Sequence, residues 1–330
     1  MALSAPSLHS RPPIPGTASP VEPLRKLQFL ALGTRCEVQY AAPFGEPQAA
    51  EFERAAVAWV EAFEAKFSRF RPTSLVGRIN AAAGREWVEV DGEMCQMLAL
   101  CDTLHAMTRG VLDPTSAPLI ELWNWKAQPR ALPSDARIAA ARRLVGWSKV
   151  QRTADRIFLP EPGMALDFGG FGKEYAVDLV AQVGAKHGIT DLLVDFGHDL
   201  RAVGAPPGRP AWHIGLEDPQ RPGRTAGSIG VTGRGVASSG DYVRCCWIDG
   251  RRYGHILDPR TGWPVANGCT QATVVANTCL QAGVLSTTAF VLGLREGLEF
   301  IQSFPGTEGI IVAEHSRAQT RGFLQYVVSA

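Results

Sequence analysis

The sequence has almost no net charge and lacks a long hydrophobic run. Its 330 residues carry a formal net charge of +1 at pH 7, with 20% charged and 45% hydrophobic residues. This balance gives no electrostatic reason to expect a nucleic-acid partner. No stretch is long and apolar enough for stable membrane insertion. The composition predicts a globular protein with more than one small core, and its apolar pattern does not require a partner chain.

Signals for export and for structural zinc are also missing. Residues 1–24 are rich in Pro and Ser, with no basic region before an apolar stretch and no lipobox-like cysteine. We expect them to be a disordered or extended lead to a domain over 25–330, built from two closely packed lobes in a cytoplasmic protein. The seven cysteines include no CxxC pair and are irregularly spaced. This pattern favours reduced core residues over a disulfide framework.

Hydrophobic periodicity predicts helices and strands mixed along the chain. The predicted helices are 51–70, 92–108 with Asp91 as N-cap, 133–146, the later part of 166–188 after a short strand and glycine turn, 280–292 and 294–303. The predicted strands lie in 27–42, 189–197, 211–217, 227–233, 242–248, 252–257, 270–276, 309–313 and 323–328. Hairpin-like connections late in the chain favour an α+β fold with mostly antiparallel sheets and flanking helices.

The segment "RRYGHILDPRTGWPV" (251–265) is the densest in chemical groups. His255 can move a proton near neutral pH, and Arg260 can hold a phosphate with two hydrogen bonds. The turn that includes Asp258 and Thr261 fixes both residues relative to a strand. The alternative is a structural histidine beside a salt-bridged turn.

A second candidate is the glycine-rich turn in "DFGGFGKEYAVD" (167–178). Gly169, Gly170 and Gly172 precede a helix whose first turn carries Lys173. Free N–H groups at a helix N-terminus bind anions, and glycines allow close approach of a ligand. The segment matches neither the Walker A nor the GxGxxG pattern. A tight turn with an exposed lysine is the alternative.

Three further segments carry small or acidic residues at predicted turns. They contain Asp199 after a buried strand, Ser239, Gly240 and Asp241 before another strand, and Asp113 and Thr115 before a helix. These groups are suited to binding a polar ligand, or to ordinary turn and helix-cap roles.

Taken in order, these segments resemble the ApbE family, the FAD:protein FMN transferases. The resemblance runs from "LGT" (32–34) to about residue 293. It rests on "FSRFRPTSLVGRIN", "GVLDPTSAPLIELW", "LDFGGFGKEYAVD", "VDFGHDL", "SSGDYVR", "YGHILDPRTGWPV" and "LSTTAFVLG". It implies a T-fold-like architecture with FAD between two lobes. It also implies Mg²⁺-dependent transfer of FMN from FAD to a Thr or Ser of a target flavoprotein, with release of AMP. Some members of the family hydrolyse FAD to FMN and AMP instead.

The resemblance also implies residue roles. His255 is the candidate general base, with Asp258 orienting either His255 or the turn, and Arg260 and Lys173 balancing phosphate charge or holding loops. The expected flavin- or adenosine-binding positions are Gly33, Thr34, Ser74, Asn80, Asp113, Thr115, Asp167, Gly169, Gly170, Lys173, Asp199, Ser239, Gly240, Asp241, His255 and Thr261.

The metal motif departs from the family pattern. Where the family reads A-D-A-L-A-T, this chain reads "AGVLST", with Gly283 in place of the aspartate. "GGFGKE" replaces the family's GGIAKG, and His198 replaces a glycine. In one hypothesis Glu174 supplies the missing carboxylate, together with Thr287 and the carbonyl of Gly172. In the other the metal site is non-functional, and the chain is a non-catalytic flavin-binding or assembly protein.

Overall fold

The computed structural model describes residues 24–42, 45–124 and 131–328, so the predicted lead falls outside it except for Leu24. The helices are α1 (Glu46–Phe67), α2 (Leu75–Ala81), α3 (Gly92–Met107), α4 (Ala117–Trp123), α5 (Asp135–Arg143), α6 (Gly172–Lys186), α7 (Cys279–Leu292) and α8 (Leu294–Gln302), with 3₁₀ turns at Trp147–Lys149 and Arg321–Tyr326. The strands are β1 (Arg25–Ala31), β2 (Thr34–Tyr40), β3 (Val88–Glu89), β4 (Gln151–Arg152), β5 (Arg156–Phe158), β6 (Leu192–Phe196), β7 (Asp199–Val203), β8 (Trp212–Glu217), β9 (Thr225–Val231), β10 (Gly235–Gly240), β11 (Cys245–Ile248), β12 (Arg251–Gly254), β13 (Leu257–Asp258), β14 (Trp263–Pro264), β15 (Cys269–Ala276), β16 (Glu308–Ala313) and β17 (Arg317–Gln319).

An eight-stranded sheet organises the fold. Its strand order is β1-β2-β6-β7-β10-β15-β16-β17, and each neighbouring pair is antiparallel. Smaller antiparallel pairings join β8 to β9, β11 to β12, β13 to β14, and β3 and β4 to β5. The predicted α+β class with mostly antiparallel sheets is therefore confirmed.

Both faces of the sheet are covered, as the side chains of β6 show. Leu192, Val194 and Phe196 pack into the large core formed with α1 and α6, while Leu193 points into a second core with the β8–β9 hairpin. Successive strand residues face opposite sides, so this almost wholly apolar strand serves two cores. A third core lies between α7, α8 and the β10–β15–β16 part of the sheet.

Several local signals act as the sequence predicts. Asp91 caps α3 by accepting a hydrogen bond from the backbone N–H of Met94 at 3.0 Å. The hairpin between β1 and β2 turns at Leu32 and Gly33, which both adopt positive φ. The seven cysteines form no disulfide. Among the described helices, none has the length and apolar composition needed to cross a membrane.

Two local predictions are wrong, and one alternative role does not apply. Residues 323–328 were predicted as a strand, but a 3₁₀ turn occupies Arg321–Tyr326 and buries only Phe323. The segment before Gly169 is not a strand, since α6 begins at Gly172 after irregular backbone. Neither Asp113 nor Thr115 caps α4, because the N-cap position is Ser116. The division into two lobes stays a prediction.

Candidate functional site

A cleft of about 1750 Å³ opens beside the main sheet. Its walls come from the β1–β2 turn, the end of α1, the loops before α4 and α6, the β6–β7 turn, β8, β10 and the segment around β12. Small-molecule sites commonly occupy about 300–1,000 Å³, so this cleft has room for a ligand of dinucleotide size.

The cleft brings together most of the predicted site residues. Those that line it are Gly33, Thr34, Asp113, Asp167, Gly169, Gly170, Gly172, Lys173, Glu174, Asp199, Ser239, Gly240, His255 and Thr287. Predicted site residues outside the lining are Ser74, Asn80, Thr115, Asp241, Asp258, Arg260 and Thr261.

Phenylalanines form one apolar wall of the cleft. The rings of Phe63 and Phe67 lie 4.9 Å apart between centroids, and Phe67 lies 6.1 Å from Phe168. Phe171 continues the group at 5.7 Å from Phe168. Such a wall suits a flat aromatic ligand. Hydrophobic periodicity predicts a helix over 51–70, but it does not distinguish residues of a cavity wall from residues of the packed interior.

His255 is a neutral histidine with a defined tautomer. Its Nδ1 lies 3.2 Å from the backbone carbonyl oxygen of Arg244. Because a carbonyl oxygen only accepts, Nδ1 carries the hydrogen in this bond and the lone pair lies on Nε2. Burial, together with the charge of Arg244, lowers the pKa of His255 to about 4. The ring is therefore unprotonated at neutral pH and is chemically able to accept a proton.

Asp258 and Arg260 stabilise the turn after His255. The Arg260 guanidinium donates to both carboxylate oxygens of Asp258 at 2.9 Å, and the Arg260 backbone N–H donates to one of them at 3.0 Å. The Thr261 hydroxyl donates to the Asp258 carbonyl at 3.2 Å. Of the two roles expected for Asp258, these contacts support orientation of the turn. They engage Arg260 locally, outside the cleft lining.

Lys173 connects the start of α6 to the β6–β7 turn. Its ammonium forms an ion pair with Asp199 and donates to the carbonyl of Phe196 at 3.1 Å. Of the two roles expected for Lys173, holding loops is the one that these contacts support. Asp167 serves a similar purpose nearby, because it accepts from the N–H of Gly169 at 2.8 Å and pairs with Arg69 at 2.8 Å.

A buried network surrounds Asp113. One carboxylate oxygen accepts from the N–H of Thr115 at 2.8 Å and from its hydroxyl at 2.5 Å, and the other accepts from the N–H of Trp147 at 3.0 Å. Thr115 also accepts from the N–H of Gly146 at 2.8 Å. These bonds hold the loop before α4 against the start of a 3₁₀ turn. Asp113 reaches the cleft with its carboxylate already engaged.

Three other predicted binding residues have structural contacts. Ser74 caps α2 by accepting from Gly77 N–H at 2.8 Å. Asn80 bonds both backbone groups of Leu166, at 2.7 Å to the N–H and 3.0 Å to the carbonyl. Asp241 is buried and lies 3.1 Å from the Arg252 guanidinium.

Two turns meet at the rim of the cleft beside Gly33. A Cβ at Gly197 would lie 2.4 Å from the hydroxyl of Thr34, so glycine permits this close approach. His198 adopts a φ of +73°, a left-handed conformation that costs a non-glycine residue about 1–2 kcal/mol. Its backbone N–H donates to Asp195 at 2.8 Å. The substitution for glycine is therefore accommodated with local backbone strain.

The predicted metal ligands Gly172, Glu174 and Thr287 all line the cleft. Glu174 is 9% exposed, and its Oε2 is buried without a hydrogen-bond partner. Burial raises the pKa of this carboxyl. The Thr287 hydroxyl lies 2.9 Å from that of Ser239, which lies 2.9 Å from that of Ser286. A buried carboxylate oxygen without a hydrogen-bond partner, in a cleft that also presents the hydroxyl oxygens of Ser239 and Thr287, fits a hard divalent cation.

This combination of fold and cleft defines a class: an antiparallel α+β protein whose cleft has room for a dinucleotide-sized ligand and is lined by a neutral histidine and a buried carboxyl group. The ApbE family model matches residues 32–311, so the chain belongs to the ApbE family. It is 29% identical over 248 residues to an FAD:protein FMN transferase of Klebsiella pneumoniae, covering 74% of this chain and 77% of that relative.

Two solved structures show the same fold. The ApbE protein of Thermotoga maritima has a TM-score of 0.84 and 29% identity, with 93% of this chain and 100% of the other covered. The apo form of the flavinyl transferase ApbE from Pseudomonas stutzeri has a TM-score of 0.82 and 28% identity, with coverage of 94% and 98%.

Proposed function

We propose that this protein is an FAD:protein FMN transferase that attaches FMN to a Thr or Ser of a target flavoprotein and releases AMP. One observation carries the proposal. A single dinucleotide-sized cleft contains both a neutral histidine and a buried carboxyl group with one oxygen that makes no hydrogen bond. The names of the curated relatives support the same activity.

The cleft has chemically distinct walls for the parts of FAD. The phenylalanine wall suits the flavin ring, and the loops around Gly170 and Ser239 offer backbone and hydroxyl groups to phosphate or ribose oxygens. The flavin would therefore lie in this cleft, between the two lobes predicted from the sequence.

His255 acts as the general base in this proposal. Its Nε2 accepts the proton of the acceptor hydroxyl as the hydroxyl oxygen attacks the FMN phosphorus of FAD. A P–O bond to the acceptor forms, the pyrophosphate P–O bond breaks, and AMP leaves with the electron pair of that bond. The Nδ1 contact to Arg244 keeps the ring in the tautomer that this step requires.

The proposal includes Mg²⁺, which would neutralise developing charge on the pyrophosphate when bound. Glu174, Thr287 and the carbonyl of Gly172 would hold it. No group of three or more His, Cys, Asp or Glu side chains in the described part of the chain is arranged to hold a metal. A site with so few protein ligands is still typical of Mg²⁺, because this ion is commonly bound by one or two carboxylates together with substrate phosphates.

The partner in this proposal is a flavoprotein, and no nucleic acid is involved. The formal net charge of +1 supports the exclusion of nucleic acid. We propose a cytoplasmic location, as the sequence predicts.

The test is incubation with FAD, with and without Mg²⁺, and with and without an acceptor protein that carries a Thr flavinylation site. AMP is measured by chromatography, and acceptor-bound flavin by fluorescence in a denaturing gel. The proposal expects AMP and covalent flavin only when Mg²⁺ and acceptor are both present. AMP and FMN without acceptor would indicate an FAD pyrophosphatase. Bound FAD without turnover would indicate a non-catalytic flavin-binding protein.

A further inference from the structure

Positions 174 and 283 compete for one volume. A Cβ built on Gly283 would lie 2.5 Å from Cγ of Glu174 and 3.1 Å from its Cδ. Real Cβ atoms essentially never approach another heavy atom to less than 3.0 Å, so any side chain at 283 would force Glu174 to move. The Glu174 side chain therefore occupies the space that a side chain on α7 would otherwise fill.

The same surface of α7 carries the hydroxyl of Thr287. Residues 283 and 287 are one turn apart and share a helix face. The Thr287 hydroxyl lies 2.9 Å from the Ser239 hydroxyl, and both residues line the cleft. Glu174 thus places a carboxylate from α6 beside a hydroxyl group from α7.

The Glu174 carboxylate lacks a good internal partner. Its Oε2 is buried and makes no hydrogen bond, and its Oε1 lies 3.9 Å from the ammonium of Lys173. That ammonium already contacts Asp199 and the Phe196 carbonyl. A buried carboxylate oxygen without a partner is costly, so its retention indicates a cation that arrives with a ligand.

We propose that α6, through Glu174, supplies the one carboxylate of the Mg²⁺ site, that Gly283 is the glycine that makes room for it, and that the ion binds jointly with the FAD pyrophosphate. The inference deepens the proposed function and depends on it. With a single carboxylate from the protein, the ion binds weakly alone and strongly with FAD. By thermodynamic linkage the ion strengthens FAD binding by the same factor.

Equilibrium binding tests this without turnover. FAD affinity is measured from flavin fluorescence with and without Mn²⁺, and bound Mn²⁺ is counted by electron paramagnetic resonance. The intact protein should bind FAD about 10-fold more tightly with Mn²⁺, within the usual range of coupling between sites. Chromatography after each titration verifies that the FAD is intact.

Three variants carry the test. Glu174→Gln should bind FAD alone with unchanged affinity but lose the effect of Mn²⁺. The double variant Glu174→Gly with Gly283→Asp moves the carboxylate onto α7 in the vacated space and should restore at least part of that effect. Glu217→Gln is the matched control, since Glu217 also lines the cleft but bonds Tyr242 at 2.7 Å and should keep the full effect.

The outcomes separate the two proposals. Failure of the intact protein to bind FAD would overturn the proposed function. FAD binding that Mn²⁺ strengthens equally in the intact protein and in Glu174→Gln would overturn only the assignment of Glu174. If Glu174→Gln also lowers the melting temperature, the double variant decides. Restored coupling supports the assignment, and a folded double variant without coupling contradicts it.

Discussion

Asn80 bridges α2 and the loop that leads into the cleft, and we expect its replacement by alanine to destabilise the fold. Its side-chain amide accepts from the N–H of Leu166 at 2.7 Å and donates to the carbonyl of the same residue at 3.0 Å. Leu166 is fully buried. Water therefore replaces these two bonds poorly when the amide is removed.

The magnitude follows from the two backbone groups left behind. An unsatisfied buried donor or acceptor costs about 1–3 kcal/mol. Partial relaxation of the loop would recover part of this, so Asn80→Ala should lower the free energy of unfolding by about 2–4 kcal/mol. FAD affinity should fall only a few-fold, because Asp167, the next residue after Leu166, lines the cleft while Asn80 does not.

Urea unfolding followed by circular dichroism measures the first quantity, and flavin fluorescence measures the second. Arg78→Ala is the control, since Arg78 is an exposed residue of the same helix and its loss should change stability by less than about 0.5 kcal/mol. The reasoning is refuted if Asn80→Ala leaves the urea midpoint unchanged but weakens FAD binding tenfold or more. Asn80 would then bind the ligand directly, as the family resemblance implies.

Three other changes test the site and the scaffold. His255→Gln should reduce AMP formation by about 10²–10⁴-fold with FAD affinity nearly unchanged, and an equal loss of affinity would argue for a binding role. Because burial and Arg244 lower the pKa of His255 to about 4, the base stays unprotonated down to that range. A pH profile of kcat/KM should therefore be flat from pH 8 to about 5 and fall below it, whereas a fall centred near 6.5 would contradict the assigned environment. Gly235→Ala would place a Cβ 2.2 Å from the backbone carbon of Thr278. No flexible side chain can relieve that contact, so unfolding free energy should drop by about 2–3 kcal/mol, and an unchanged urea midpoint would show that the backbone can shift.

Hydrophobic periodicity predicted a helix or strand correctly where the apolar residues of the segment form one continuous face. In α1 the apolar periodicity places six residues on one face, and all are buried except Trp59, which is partly buried; the other five are Phe52, Ala56, Val60, Phe63 and Phe67. The segment 323–328 lacks such a stripe, because Phe323 is buried but Leu324 and Val327 are 65% and 46% exposed. Its apolar composition predicted a strand, but the segment pairs with β9 only at its end, through a single antiparallel bridge between Val327 and Ile229. Sheet order was not predictable either, since the pairing of β2 with β6 joins segments far apart in sequence.

The sequence motifs identified residues at the cleft, but they did not distinguish the residues that line it from those that hold the surrounding turns. Asp258 and Arg260 stand beside His255 in sequence, yet they bond each other and the turn. Residue type and order indicate that a carboxylate and a guanidinium are close. Only the direction of each side chain decides whether the pair faces a ligand. The tautomer of His255 could not be predicted from the motif. It depends on the pairing of β11 with β12, which brings the Arg244 carbonyl next to the His255 ring.

Positions 174 and 283 show why the loss of a metal ligand cannot be inferred from one position alone, since a carboxylate missing at 283 can be supplied from 174. Gly283→Asp in the intact chain would place a second carboxylate where the first one already lies, since its Cβ would be 2.5 Å from Cγ of Glu174. Crowding and like charge would both oppose it. Glu174→Gly alone would remove the carboxylate and leave a void. Each single change is therefore expected to impair ion binding while the two together restore it, and this non-additivity arises because both side chains would occupy the same space.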